Sequence, residues 1–202
     1  MRPLALLLVT VPLFAPLFAS GELTVYDLLT PETHKFAIIY DVTATGEGAP
    51  YFLNPIRRGS VADKESVIDR ATGQPLKFDT IDGKTAKAEG IGGRDTAQNI
   101  KDDDQFLRVH LLKPVAKGSE TRIRIYKTYT DAASYSEKDG VLVWDRPLGI
   151  KHNVVILPAG YELTGSASPA IVSTDPDGRV HLSFVNDRDD QLPVKITARR
   201  SQ

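Results

Sequence analysis

The chain contains no cysteine among its 202 residues. This absence excludes disulfide bonds, a catalytic thiolate, zinc sites with cysteine ligands and a lipid-modified N-terminal cysteine. Tryptophan and methionine are also scarce, with one of each. An apolar core built mainly from aliphatic, tyrosine and phenylalanine side chains must therefore stabilise the fold, and a chain of this length can bury one.

The motifs of common secreted hydrolases are missing as well. Residues 165–168 read Gly-Ser-Ala-Ser and lack the second glycine of a nucleophile elbow. No His-Glu-x-x-His pair supplies a helical zinc site. The four histidines are dispersed and show no local metal-ligand spacing: His34, His110, His152 and His181. We therefore predict a protein without catalytic residues, cofactor or resident metal.

Neither sign of charge dominates, because 25 Lys and Arg stand against 26 Asp and Glu. A nearly neutral chain has no global field for polyanions, so nucleic acid and anionic membrane surfaces are poor candidate partners. The acidic clusters Asp102–Asp104 and Asp187–Asp190 lack the spacing and central glycine of a calcium loop. Solvated turns are favoured for both clusters, and metal binding there stays open.

Long apolar runs are absent except near the N terminus. Arg2 precedes the run Leu4–Val9, and small residues close the stretch at residues 19–21, which is the layout of a secretory signal peptide. Pro12 and Pro16 interrupt the stretch, so a cleaved signal is favoured over a membrane anchor of roughly 20 uninterrupted apolar residues.

Removal of this leader defines the predicted organisation of the chain. We predict a signal peptide at residues 1–21 and a single domain at residues 22–202. With no disulfides and a soluble composition, the mature protein is predicted to be bacterial, periplasmic or secreted, and not inserted in the membrane after cleavage.

Alternation of apolar and polar residues with a period of two recurs along the chain. The segments Phe36–Val42, Leu107–Leu111 and Ile123–Ile125 each place apolar side chains on one face, as half-buried strands require. Pro114 and Gly118 lie between the last two segments, which favours a turn and predicts that these strands form a hairpin.

The alternation and its turn signals predict an all-β fold, an antiparallel β-sandwich of about nine to eleven strands. Residues 84–105 carry several glycines and an acidic run but few apolar residues, so they are predicted to form one long exposed loop. Residues 130–139 are predicted to form a short helix or an irregular crossover.

The densest group of aromatic and polar residues lies after residue 140. The single tryptophan stands beside an acid and a base there, and tryptophan and arginine are over-represented at binding hot spots. A second such group is predicted to line the same surface, and it consists of Tyr51, Asn54, Arg57 and Arg58. The candidate binding residues are Trp144, Asp145, Arg146, His152, Asn153, Tyr51, Asn54 and Arg57. The alternative interpretation, which is favoured, is a core tryptophan on a strand with Arg146 paired to Asp145 or a neighbour.

Several segments resemble known proteins. Leu107–Tyr129, with its two strands and Lys-Pro-Val turn, resembles the N-terminal, non-catalytic β-sandwich domain of M1-family aminopeptidases, as does Ile156–Tyr161. Ala49–Arg57 and Asp145–Lys151 resemble stretches of an uncharacterised family of small secreted bacterial β-sandwich proteins. The aminopeptidase catalytic domain is missing, so the resemblance implies a sandwich fold and no peptidase residues.

These observations lead to three functional expectations. The first is an exported, non-enzymatic β-sandwich with a binding or scaffolding role at the cell envelope, whose partner is a protein or a glycan. The second is a carbohydrate-active or other hydrolase with acids from separate strands, such as Asp69, Asp145 and Glu162. The third is an accessory subunit of a larger envelope complex.

Overall fold

A computed structural model describes residues 22–89 and 100–201. The predicted signal peptide lies outside these residues. The described chain contains one short 3-10 turn at Pro31–Thr33 and, in chain order, β1 (Leu23–Leu28), β2 (Lys35–Ala44), β3 (Tyr51–Ile56), β4 (Val61–Asp69), β5 (Phe78–Asp82), α1 (Gly83–Ala88), β6 (Gln105–His110), β7 (Thr121–Thr130), β8 (Tyr135–Lys138), β9 (Val141–Leu148), β10 (His152–Ile156), β11 (Tyr161–Ser166), β12 (Ile171–Thr174), β13 (Val180–Val185) and β14 (Leu192–Arg200).

The strands form three sheets. A seven-stranded sheet has the order β12-β13-β10-β1-β2-β7-β4, a four-stranded sheet the order β11-β14-β9-β8, and a three-stranded sheet the order β3-β6-β5. All neighbouring strands run antiparallel except β1 and β10, which pair in parallel with Leu23 opposite His152. The predicted all-β, sandwich-like fold is confirmed, although fourteen strands exceed the predicted number.

One face of the seven-stranded sheet is covered by both smaller sheets, one after the other along the strands. On β2, Phe36 and Ile38 belong to the core beneath the four-stranded sheet. Val42 and Ala44, on the same face, belong to the core beneath the three-stranded sheet. Tyr40 lies between them and packs against both cores. The molecule is therefore a broad sheet with two smaller sheets side by side on it.

Strand β7 crosses from one core to the other in the same way. Ile123 and Ile125 are fully buried beneath the three-stranded sheet, and Tyr129 is buried beneath the four-stranded sheet. The side chain between them in the alternation is Lys127, which is 7% exposed. A charged group thus lies at the junction of the two cores.

One prediction of local structure is wrong, and a second is correct only in part. β6 and β7 do not form a hairpin, because β6 pairs with β3 and β5 while β7 pairs with β2 and β4 in another sheet. The turn at residues 113–118 instead carries the chain between sheets. Residues 130–139 form no helix. A turn after Asp131 carries the chain from the broad sheet to the four-stranded sheet, so the irregular crossover is present but short, and β8 follows it and pairs with β9.

The predicted loop at residues 84–105 is also corrected in part, and residues 90–99 lie outside the described chain. Asp82 caps α1 by accepting a hydrogen bond from the Thr85 amide at 2.8 Å. Ala86 of this helix packs on Ile81 and Phe106, on the outer side of the three-stranded sheet. Few apolar residues are needed to bury one short helix, so composition alone does not reveal it.

The segment after residue 100 closes over the start of α1. The Gly83 and Lys84 amides donate to the Asp104 and Asp102 carbonyl oxygens at 2.7 and 3.2 Å. A Cβ atom at position 83 would lie 1.9 Å from the Lys101 carbonyl oxygen. Only glycine permits this close approach of two backbone segments.

We expect Gly83→Ala to destabilise the protein by about 1–3 kcal/mol, because the 100–104 segment must move away from α1. Gly149→Ala is the control, since a Cβ atom there would meet its nearest neighbour at an ordinary 3.7 Å. Urea unfolding of both variants measures the difference. Equal stability of Gly83→Ala and the wild type would contradict the described contact.

Candidate functional site

A cleft of about 420 Å³ opens where the two smaller sheets meet over the broad sheet. Its floor comes from β1, β2 and β7, one wall from β3 and the residue after it, and the other wall from β9 and the loops that follow β9 and precede β14. Its volume falls in the range of small-molecule sites. The lining residues are Thr24, Tyr26, Ile38, Tyr40, Asn54, Pro55, Arg57, Lys127, Tyr129, Arg146, Pro147, Gly149, Ile150 and Gln191.

Lys127 occupies the floor of this cleft. Its Nζ donates hydrogen bonds to Asn54 Oδ1 and, at 3.1 Å, to Tyr129 Oη, and it lies 4.7 Å from the centre of the Tyr129 ring. Burial lowers the pKa of Lys127 to about 7, and the charge of Arg146 acts in the same direction while Glu65 opposes it. The amine can therefore change charge near neutral pH.

Arg146 projects from β9 and forms a buried ion pair. Its Nη1 donates to Asp131 Oδ2 at 3.1 Å, and the two side chains are only 8% and 5% exposed. The guanidinium also lies 5.4 to 5.8 Å from the ring centres of three aromatic residues, at distances suited to cation–π attraction: Tyr26, Phe36 and Tyr129. This arrangement fixes the arginine in the wall.

Asp131 joins three parts of the chain. Besides Arg146, it accepts hydrogen bonds from Ser60 Oγ at 2.9 Å and from Ser134 Oγ at 2.8 Å. Burial alone raises the pKa of Asp131, but the bonds from Ser134 and Ser60 and the Arg146 charge outweigh it, so the pKa lies below its ordinary value. The carboxylate stays ionised and holds Arg146 in place.

Two polar groups of the cleft have no partner among the residues that the structure describes. The buried Thr24 hydroxyl makes no hydrogen bond, although Thr24 is 3% exposed. Within residues 22–89 and 100–201, the half-buried Arg57 guanidinium is affected by the charges of Arg146 and Asp131 but by no side-chain hydrogen bond. Burial, followed by the Arg146 charge, lowers the pKa of Arg57. The Arg57 guanidinium is therefore free to interact with a ligand, and the buried Thr24 hydroxyl is left without a partner.

The cleft brings together three of the residues singled out from the sequence: Asn54, Arg57 and Arg146. Their elements, β3 and β9, belong to different sheets that meet only at this junction. The two sequence groups that were expected to share a surface thus contribute to one cavity.

Trp144 requires a correction, because its side chain is not on the surface. It is fully buried in the core beneath the four-stranded sheet, with its ring 5.2 Å from Tyr26 and 6.4 Å from Phe36. Leu142, Trp144, Arg146 and Leu148 alternate on the inner face of β9. A contact between Trp144 and a ligand is therefore excluded in this fold, and the alternative interpretation as a core residue with a paired Arg146 is correct.

The remaining candidates lie away from the cleft. Asp145 points to the opposite face of β9 and pairs with Lys195 at 3.6 Å. His152 is exposed at the start of β10, while the neighbouring Asn153 is buried and donates to the Ile150 carbonyl oxygen at 2.6 Å. Tyr51 packs edge-on against His110, with ring centres 4.9 Å apart. None of these four lines the cleft.

The acids considered for hydrolysis lie on three different strands. Asp69 Oδ1 accepts the Ala71 and Thr72 amides at 3.0 and 2.8 Å and stabilises the turn after β4. Asp145 and Glu162 lie on β9 and β11, and the groove that Asp69 lines contains neither. The structure thus gives no pair of facing carboxylates among these three.

Bases accompany both acidic clusters. Arg58 pairs with Asp103 and Asp104, Lys87 with Asp102, and Arg188 with Asp190. Over residues 22–89 and 100–201, no group of three or more potential metal-ligating side chains converges. A membrane-spanning helix must be long and apolar. Over residues 22–89 and 100–201, no helix is long and apolar enough to cross a membrane.

The motifs of the sequence do not single out Lys127, Asp131 or Thr24. The alternation along β7 could have indicated Lys127, because this residue follows Ile123 and Ile125 at the same spacing of two and therefore lies on the inner face of the strand. A lysine on an apolar face needs a partner or a cavity, because burying an unpaired charge is costly. No comparable local signal marks Asp131, whose partners come from distant segments.

Comparison with known proteins supports the fold. No protein-family model and no curated protein sequence matches the chain. The structure is similar to an M1 zinc metallopeptidase from Deinococcus radiodurans, with a TM-score of 0.51 and 11% sequence identity over 88% of this chain. An aminopeptidase N family protein from Idiomarina loihiensis gives a TM-score of 0.48 at 8% identity.

This chain spans about 41% of the length of the Deinococcus protein and about 29% of the Idiomarina protein. The matching region corresponds to the N-terminal domain of M1 aminopeptidases, so the resemblance stated from the sequence is confirmed for the fold. At this level of identity the similarity concerns architecture alone.

We expect Asp131→Asn to lower the free energy of unfolding by about 3–5 kcal/mol at neutral pH, because the buried Arg146 charge loses its counter-charge. Asp145→Asn is the matched control, since its pair with Lys195 is more than half exposed and contributes about 0–1 kcal/mol. Urea unfolding compares the two. Similar losses in both variants would contradict a special role for Asp131.

The same carboxylate predicts acid sensitivity. Because folding lowers the pKa of Asp131, its stabilisation is complete above the ordinary value of 3.8 and is lost as the pH falls through the lower value of the folded state. Wild-type stability should decrease in that acid window, and the Asp131→Asn variant should lose less there. Unfolding curves at stepwise lower pH measure both slopes.

We expect Trp144→Ala to destabilise the protein by about 3–5 kcal/mol, since it leaves a large cavity in the core. Val141→Ala on the same strand is the control, because Val141 is 41% exposed and its truncation should change stability by about 0.5 kcal/mol or less. Thermal or urea unfolding distinguishes them. A Trp144→Ala variant of wild-type stability would contradict its burial.

Proposed function

We propose that this protein is an exported, non-enzymatic binding protein of the bacterial cell envelope that takes up a small molecule in the cleft between its sheets. The observation that carries the proposal is a cavity of about 420 Å³ in which polar side chains from all three sheets converge. Location at the envelope rests on the predicted leader at residues 1–21.

The composition of the cleft supports binding. Apolar and aromatic side chains surround a few placed polar groups, which is the usual design of a small-molecule site. The Thr24 hydroxyl and the Arg57 guanidinium have no protein partner within the described chain. Buried polar groups normally have partners, and a ligand would supply them.

The test is a thermal-shift screen of the purified protein with anionic, neutral and cationic small molecules. A ligand at roughly a hundred times its Kd adds about 2.7 kcal/mol of stability. We expect hits with the wild type that are lost in Gly149→Phe, because this variant adds a ring at a residue that lines the cleft and whose Cβ atom would lie 3.7 Å from Gln191.

Val185→Phe provides the matched control, because it adds a ring to an exposed position on β13 outside the cleft. It should keep every hit. Hits that survive equally in Gly149→Phe would place binding elsewhere, and a screen without hits would remove the proposal.

An accessory subunit is a second candidate function. It is favoured by the observation that the same architecture forms part of a chain more than twice as long in the Deinococcus metallopeptidase. Isolation of the protein under native conditions tests this candidate, because a subunit elutes at the size of a stable complex while a free binding protein elutes alone.

A further inference from the structure

We infer that the cleft binds a small organic carboxylate, with the carboxylate facing Arg57, Lys127 and Arg146 and its apolar body against the aromatic and aliphatic lining. This inference rests on the proposed function and specifies the ligand class. Three observations support it: an excess of cations in the cleft, an unpartnered hydroxyl on its floor, and apolar surfaces on both walls.

The charges of the cleft do not balance. Arg57, Lys127 and Arg146 line it, and Asp131 is the carboxylate that pairs directly with one of them. Glu65 acts on Lys127 only through its charge. Cations held close together in a partly buried site repel each other, and an anion between them removes that cost.

The donors that remain point to an oxyanion rather than to a halide. Lys127 has three N–H donors, and two of them go to Asn54 and Tyr129. Arg57 presents a planar fork without a partner in the described chain, a geometry that matches two carboxylate oxygens. The Thr24 hydroxyl adds a neutral donor beside them.

The lining explains why the ligand is an organic acid and not an inorganic anion. Tyr26, Ile38 and Tyr40 form an apolar floor, and Pro55, Pro147 and Ile150 stand on the walls. A phosphate ion would leave these surfaces exposed to water. An aromatic or aliphatic body would cover them and add about 25 cal/mol for each Å² of apolar surface that it buries.

Calorimetry tests the inference by measuring the affinities of acetate, hexanoate and benzoate. The affinity of each acid is compared with that of its uncharged amide. The amide keeps the shape of the acid and removes the charge. We expect at least one of the two larger carboxylates to bind about tenfold or more tightly than its amide, and both to bind more tightly than acetate or inorganic phosphate.

Variants locate the charge recognition. Arg57→Gln should weaken binding of the carboxylate by about 10- to 100-fold. Arg58→Gln is the matched control, because this neighbouring arginine is exposed, pairs with Asp103 and Asp104 and does not line the cleft. It should bind like the wild type. Thermal unfolding of each variant confirms that it is folded.

Lys127 should make the affinity for the carboxylate depend on pH, which nonspecific binding to the protein surface would not do. Its neighbours are Asn54 and Tyr129 by hydrogen bond and Arg146 and Glu65 by charge. Burial raises the pKa values of the three nearby phenols, so they stay neutral: Tyr26, Tyr40 and Tyr129. Asp131 stays ionised because its pKa is lowered, and the pKa of about 7 makes the Lys127 amine the group that changes charge near neutral pH.

Because the carboxylate favours the protonated amine, affinity should fall as the pH rises above about 7, by up to about tenfold for each pH unit. Lys127→Met should bind more weakly below about pH 7 and show no such slope. A wild type whose affinity is independent of pH would overturn the assignment of Lys127.

The outcomes separate this inference from the proposed function. Amides that bind as tightly as the acids, or phosphate that binds more tightly than both larger acids, would overturn the inference. If none of the three carboxylates binds while a neutral hit is lost in Gly149→Phe, the ligand class is wrong and the proposed function stands. If no compound of the screen binds, both fail.

Discussion

The buried ion pair between Arg146 and Asp131 joins the broad sheet to the four-stranded sheet. Asp131 follows β7 of the broad sheet, Arg146 belongs to the four-stranded sheet, and Ser60, which bonds the same carboxylate, precedes β4. One carboxylate therefore determines how these strands are placed relative to each other. A buried ion pair adds little to the net free energy of unfolding, because both charges lose their hydration. Removing one partner nevertheless destabilises the fold strongly, since the other charge is left buried and unpaired. The main effect of the pair is therefore to specify this arrangement of strands.

A cavity follows from the same arrangement. A single covering sheet could pack against the broad sheet along its whole length, whereas two narrow sheets leave a gap where they meet. On β7 the residue at that gap is the charged Lys127, although its neighbours on the same face of the strand are apolar, and on β2 it is Tyr40. Proteins seldom bury lysine and arginine without a use for them, because each charge loses hydration. The gap between the two smaller sheets thus explains why three cationic side chains can lie there: Lys127, Arg57 and Arg146.

The sequence predicts which face of each strand is buried, but it does not predict which strands pair with each other. Alternation at Phe36–Val42 and at Ile123–Ile125 identified the buried side chains correctly, because burial on one face imposes a period of two. The turn at residues 113–118 suggested a hairpin, yet long-range packing sends β6 and β7 to different sheets. For the site, residue type misled at Trp144, since a large ring fills a core as well as an interface. Arg146 on the inner face of β9 was the more informative residue, and only the fold shows that it meets Arg57 and Lys127.

The parallel pairing of β1 with β10 has a consequence for biogenesis. Leu23 lies opposite His152, so the first strand of the described chain completes its pairing with a partner more than a hundred residues away. A polypeptide that emerges N terminus first can join β1 to β2 early, but the other edge of β1 stays open until β10 arrives. Such a topology has a high contact order and is expected to fold slowly. The backbone groups on that unpaired edge are open to pairing with other chains during the interval, so aggregation competes with folding until β10 is in place.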